Sequence, residues 1–345
     1  MAGAKRVFAV GVAAIAMIVI TATPASADPA TPTNYRSQVV FVESWGVAEV
    51  DIIGGDAFVR LTVEPGVTVE VLGYEGEQYI RFDPDGTVYV NLRSPSKYLN
   101  DDRYANVDLP PEADAASVPR WELVSTDGIY SWHDHRTHWM SPIPPAAVGE
   151  VDGAQTVQIF DWTLPVQTNG EDGEIAGTLT WIPSTTALPW FAISAVTLVA
   201  IAAGSMRLSA RWQATILLAL AVVALCAGLA SMAVQPPEGR TYGVDLLGPP
   251  VIILLSGLAF VEARRSDRSA TQVVLIGGVG LAIWGLLRLD VLTHPILPTV
   301  APYAFDRLIT AVVLGGAIGL VAGITASITL ANRARRLSRD PHHTS

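Results

Sequence analysis

The chain is 345 residues long, half of them hydrophobic, and its 32 acidic side chains against 22 basic ones give a formal charge of −10. That balance leaves no basic stripe for a nucleic-acid backbone, and the single cysteine, Cys226, excludes a disulfide within the chain. The charge is unevenly spread: residues 28–187 hold 25 acidic and 8 basic side chains, a net of −17, while residues 188–345 hold 7 acidic and 12 basic, a net of +5. An acidic, water-facing domain followed by a membrane domain is the organisation this division predicts.

The first predicted element is a signal peptide over residues 1–27. Lys5 and Arg6 precede an apolar run from Val7 to Ile20, and Ala25-Ser26-Ala27 places small residues where a signal peptidase reads them. The run is 14 residues long, short of the roughly 20 that span a bilayer. The mature chain is therefore expected to start at Asp28 and to be exported, at least at its beginning.

Residues 28–187 read as an extracytoplasmic, all-β domain, an antiparallel and sandwich-like fold. In "DAFVRLTVEPGVTVEV" apolar and polar residues alternate up to a turn at Glu64-Pro65-Gly66 and resume after it. "YIRFDPDGTVYVN" repeats the pattern around Asp83-Pro84-Asp85-Gly86. "EIAGTLTW" alternates cleanly, whereas in "TVQIFDWTL" the apolar parity slips after Ile159, which predicts a β-bulge near Phe160.

Within this domain "SWHDHRTHWM" carries three of the six histidines. A strand from Ile129 puts His133 and His135 on one face, about 6.5–7 Å apart, as two ligands of one metal would need. His138 has the opposite parity unless the chain turns after Arg136. With that turn, His133, His135 and His138, with Met140 nearby, form a set suited to copper, or to zinc without the thioether, and Asp134 could orient one ring. The favoured reading is plainer: a solvated or partner-facing strand end, with the tryptophans in the core or at the membrane interface. The carboxylates of "NDDRY" and "DPDG" lack calcium-loop spacing. No Ser, His and Asp set sits in a nucleophile elbow, so no catalytic residue is assigned.

Five apolar segments follow, predicted as transmembrane helices at about 189–206, 213–234, 246–263, 271–287 and 308–330, within a helical domain of 188–331. The third and fourth are the shortest. A basic tail, 332–345, completes the chain. With the β-domain outside, nine arginines fall in inner loops and the tail and three in outer loops, the positive-inside pattern that places the C-terminus in the cytoplasm of a multi-pass plasma-membrane protein. The segment centres lack ionisable residues, which disfavours a transport path. Polar residues gather instead at the outer ends: Asp245, Arg288, Asp290, His294, Asp306 and Arg307. They read as interfacial anchors or, alternatively, as a patch joining His294 to the His133 cluster. The fifth segment repeats small residues at Gly315, Gly319 and Gly323, a stripe for close packing within the bundle or against another copy.

The phrases "GGDAFVRLTV", "GYEGEQYIRF", "SWHDHRTHWM" and "RLDVLTHPILPT", together with a signal peptide, resemble a family of bacterial membrane proteins of the actinobacterial type. The resemblance implies a signal peptide, an exported β-domain and C-terminal transmembrane helices, and it brings no catalytic residue. The leading functional expectation is a non-enzymatic membrane protein whose exported domain binds an extracytoplasmic protein or ligand. The alternatives are extracytoplasmic handling of copper or zinc, and a membrane-embedded enzyme or transporter using Asp290, His294, Asp306 and Arg307.

Overall fold

The computed structural model describes residues 29–43, 46–239 and 244–338. The expected signal peptide, the Asp245 side chain and the tail beyond residue 338 lie outside the described residues. Among the described residues, ten strands form two antiparallel sheets. The larger runs in the order β1 (Tyr35–Val42), β10 (Glu171–Trp181), β9 (Val157–Thr168), β4 (Val69–Leu72), β5 (Gln78–Phe82), β6 (Val88–Asn91) and β7 (Trp121–Ser125). The smaller is β2 (Ala48–Ile53), β3 (Phe58–Val63) and β8 (Ile129–Trp132).

The two sheets share one apolar core. Val59 and Leu61 of β3 meet Val71, Ile80, Phe82, Leu164, Ile175 and Leu179 of the larger sheet, all of them fully buried. Each such aliphatic or aromatic side chain contributes about 1.5–3 kcal/mol by leaving water. Leu179 pairs with Phe160 but Thr180 pairs with Gln158, which leaves Ile159 as the extra residue of a bulge. That bulge is the physical cause of the slipped parity in "TVQIFDWTL". β9 and β10 are joined by Asn169-Gly170, both at positive φ, the pair that a tight hairpin turn demands.

Two one-turn helices, α1 (Pro95–Leu99) and α2 (Ala146–Glu150), sit in the β-region, and five longer ones follow it: α3 (Leu188–Ser205), α4 (Ala210–Met232), α5 (Val244–Glu262), α6 (Asp267–Leu287) and α7 (Tyr303–Leu337). Four of these, α3, α4, α6 and α7, are long and apolar enough to cross a membrane. The fifth, α5, carries among the described residues a shorter apolar part, Leu246–Glu262, and contains Pro249 and Pro250. α6 is longer than its apolar run because Ser266 caps it, accepting from the Ser269 amide, with Asp267 in the first turn.

The glycine stripe faces α3. A Cβ at Gly315 would collide with the backbone of Ser194, one at Gly319 with that of Leu198, and one at Gly323 with Ala202 and Ser205. The stripe therefore lets two backbones of the same chain approach closely.

The β-region rests on the turns at one end of the bundle. Gln235, just after α4, gives and accepts a hydrogen bond with the Ala30 backbone (2.9 and 3.0 Å). Thr33 pairs with Ile296 through two backbone hydrogen bonds, and the Thr185 amide donates to the Thr293 carbonyl at 2.7 Å. Phe58, the first residue of β3, lies so close over Gly239 that any side chain there would enter the ring. These contacts set the histidine segment, which leaves β8 beside Phe58, directly above the short 3-10 turn Pro237–Gly239.

Candidate metal centre

β8 ends at Trp132, and the chain reverses at once. The Thr137 amide and hydroxyl both donate to the Asp134 carbonyl (3.0 and 2.9 Å), closing a turn with His135 and Arg136 at its centre. Asp134 fixes this turn. Its carboxylate, 1% exposed, accepts from the Trp132 indole at 2.9 Å, from the Arg136 amide at 3.1 Å, and from the Arg136 guanidinium at 2.9 and 2.8 Å. Burial opposes that charge, yet Arg136 and these donors hold the Asp134 carboxyl below the usual carboxylate range. The sequence reading lent Asp134 to a histidine. That assignment is corrected here, because the carboxylate is saturated by the turn it builds.

The turn resolves the parity problem of His138. His133, His135 and His138 are 3%, 8% and 1% exposed, so the segment is an interior corner and the expectation of a solvated strand end does not hold. The ring centroids of His133 and His138 are 4.1 Å apart, with His135 5.5 and 5.3 Å from them. One ring nitrogen from each lies within 4.8 Å of the other two.

The outward-facing nitrogen of each ring meets a backbone carbonyl. His133 Nδ1 bonds the Ala57 carbonyl at 2.6 Å, His135 Nε2 that of Asp102 at 2.7 Å, and His138 Nδ1 that of Trp139 at 3.0 Å. A carbonyl only accepts, so each of these nitrogens carries the proton when the ring is neutral. The other nitrogens, His133 Nε2, His135 Nδ1 and His138 Nε2, are then bare lone pairs. Two of them, His133 Nε2 and His138 Nε2, are buried without any hydrogen-bond partner.

Electrostatics keep the rings neutral. Burial pushes the His133 pKa down to about 4, and the nearby Arg103 guanidinium adds to that shift. Burial, with repulsion from His133 next, pushes His138 down to about 2. His135 is lowered chiefly by burial. A cluster of neutral imidazoles, each with a ring nitrogen within 4.8 Å of the others and a carbonyl-anchored N–H group, is the donor set that histidine-bound metals use.

Flanking residues hold the rings in place. The Tyr74 ring stacks on His135, and its hydroxyl accepts the His135 amide at 3.0 Å while donating to Asn100. The segment after α1 folds over the cluster, tied down by an Arg103–Asp56 ion pair at 2.7 Å in which Asp56 is 2% exposed. The stretch "NDDRY" thus bears on the site through the Asp102 carbonyl and the Arg103 charge, which carboxylate spacing does not reveal. Met140 stays 40% exposed, apart from the buried rings.

The helix-end residues Arg288, Asp290, His294, Asp306 and Arg307 do not form one patch with the cluster. Arg288 and Asp306 make a buried ion pair at 2.9 Å, with the guanidinium also over the Trp284 ring. The pair and Asp290 line a cavity of about 330 Å³ between residues 29–32 and the helix ends. Arg307 instead binds the carbonyls of Val291 (3.1 Å) and His294 (2.6 Å), and the His294 ring bonds the Asp290 carbonyl at 2.9 Å. Among the described residues, His294 is not part of the metal-competent group. These contacts brace the turn that carries the β-region.

No family model, curated protein or solved structure matches the chain.

Proposed function

We propose that the protein is a multi-pass plasma-membrane protein whose sandwich-like β-domain faces the extracytoplasmic side and holds one transition-metal ion through His133, His135 and His138. Nine inner arginines against three outer ones support the orientation, and the resemblance to actinobacterial-type membrane proteins agrees with it. The observation that carries the metal reading is the gathering of three buried imidazoles, one ring nitrogen of each within 4.8 Å of the others, on rings that each bond a backbone carbonyl.

Three neutral imidazoles suit Zn²⁺ or copper, and they leave a fourth coordination position for water or a ligand. Metal–nitrogen bonds of about 2.0–2.1 Å require donor atoms roughly 3.3–3.5 Å apart, so the rings close inwards slightly on the ion. The exposed Met140 is not among the ligands, which favours an all-nitrogen site over a thioether copper site. Recognition of a ligand or partner by the domain then runs through the open metal position. The bundle is the scaffold on which that domain stands.

The test is calorimetric titration of the detergent-purified full chain, stripped of metal, with Zn²⁺ and Cu²⁺. The reading expects one ion per chain and a loss of at least about 100-fold in affinity for His133→Ala with His135→Ala, since even outer ligands of such sites are worth about 10–100-fold. Stoichiometric binding left unchanged in that double variant, or no binding by the native chain, contradicts it.

A further inference from the structure

Beyond the histidine corner the chain runs through "THWMSPIPPAAVG", residues 137–149, with no acidic or basic side chain apart from His138. Its apolar side chains are turned outwards. Ile143 is 73% and Met140 40% exposed, and Pro142, Pro144 and Ala146 are exposed beside them, while Pro145 and Val148 are buried and hold the loop to the domain. A contiguous apolar patch of this kind marks a surface that meets a partner or a membrane. The backbone at its tip is already satisfied from within. The Ser141 hydroxyl accepts the Ile143 amide at 3.1 Å, and the Trp139 indole donates to the Ile143 carbonyl at 2.7 Å. Pro142, Pro144 and Pro145 have no amide hydrogen to satisfy. Ile143 can therefore leave water without stranding either of its backbone polar groups, which is the condition for backbone that enters an apolar medium.

Both ends of the loop are fixed at the end of the β-region that faces the bundle. Upstream, the His138 ring lies 4.1 Å from that of His133, whose ring is 6.3 Å from that of Phe58, and Phe58 lies over Gly239 in the turn after α4. Downstream, α2 packs on β9, and β9 begins at Val157 opposite Trp181. Trp181 stands four residues before Thr185, whose amide bonds the Thr293 carbonyl of the bundle. Four residues of extended chain reach at most roughly 14 Å, so this end of the sheet stays close to the helix ends. The apolar surface of the bundle starts at the same level: α3, one of the helices able to cross a membrane, begins at Leu188, with Leu188 and Phe191 exposed in its first turn.

We infer that residues 139–146 dip into the lipid leaflet on the β-region's side, with Met140 and Ile143 at the boundary of headgroups and acyl chains and Trp139 at headgroup level. The inference rests on the bundle spanning a membrane and is independent of a metal at the histidines. Tryptophan is enriched at this depth because its ring is apolar and its N–H is polar, and here the N–H is given to the loop itself. The loop offers no basic side chain to anionic lipid, so the attachment is apolar and holds on a zwitterionic bilayer. It gives the β-region a second hold on the membrane besides its contacts with the helix ends.

The test reads depth at single positions. The full chain with Cys226→Ser, which removes its one thiol, takes either Ile143→Cys or Met140→Cys with an environment-sensitive fluorophore attached, and is reconstituted in phosphatidylcholine bilayers. Glu171→Cys, at the exposed far end of β10 and ten residues from Trp181, is the water reference. The expected result is blue-shifted emission at 143 and 140, quenched by phosphatidylcholine that carries a nitroxide near its headgroup and protected from iodide, with the reverse at 171. High salt should leave the lipid quenching unchanged, since no charge pair holds the loop. Emission at 143 and 140 that iodide quenches as readily as at 171 overturns the inference. Emission shielded from iodide yet untouched by the lipid nitroxide, as a covering protein surface would give, overturns it too, and so does lipid quenching that is lost in high salt.

Discussion

Replacing Asp134 by asparagine keeps the outline of the side chain and removes the charge on which the histidine corner closes. The native carboxylate is 1% exposed and holds four donors, three of them from Arg136, whose own side chain is 17% exposed and further fixed by a 3.0 Å bond to the Leu72 carbonyl. Breaking one side of a buried pair leaves the other charge uncompensated, at a cost of about 3–5 kcal/mol. Asparagine retains one acceptor oxygen, so the lower figure, about 3 kcal/mol, is expected, which is a fall in Tm of roughly 6–12 °C for a protein of this class. The assay is thermal unfolding of the metal-free protein in detergent, read by tryptophan fluorescence, followed by metal titration of the folded fraction. Because the same carboxylate orders Trp132 and the turn between His133 and His138, metal affinity should fall with stability. A loss below about 1 kcal/mol, with metal affinity intact, would refute the idea that this turn assembles the site.

Two further outcomes follow from separate parts of the molecule. Gly319→Ile drives a branched side chain into the α3 backbone at Leu198, and overpacking of this kind costs about 1–3 kcal/mol or more; loss of the folded helical fraction on mild heating in detergent checks it, and an unchanged melt contradicts the packing described. Glu77 is 7% exposed and accepts from Ser94 and Ser96. Burial raises its pKa, but those bonds outweigh burial and leave it lowered in the fold. A group depressed in the folded state stabilises fully above its unfolded pKa, here the ordinary 4.5, and loses that contribution as pH falls below it. Glu77→Gln should therefore lower stability at neutral pH and flatten the acid limb below 4.5; an acid limb identical to the native one contradicts the assignment.

Much of the fold was legible because its determinants are local. Alternation marked the strands, and a slipped parity predicted a bulge near Phe160, one residue from its place at Ile159. Apolar run length marked the helices, four of which are long and apolar enough to cross a membrane, while α5 carries Pro249 and Pro250 within its described apolar stretch. The candidate site was half legible. Three imidazoles in ten residues were plain, but strand parity separates His138 from the others, and only the turn built by Asp134 and Arg136 reunites them. The groups that orient the rings are the carbonyls of Ala57, Asp102 and Trp139, which carry no side-chain signal at all.

The central claim is that three buried imidazoles share one ion, and X-ray absorption at the zinc edge of the Zn²⁺-loaded full chain reads this directly. The account predicts three imidazole nitrogens at about 2.0–2.1 Å with one further light ligand, and loss of the imidazole scattering in His133→Ala with His135→Ala. A first shell of oxygens alone, or a histidine signal that survives that double substitution, would contradict it.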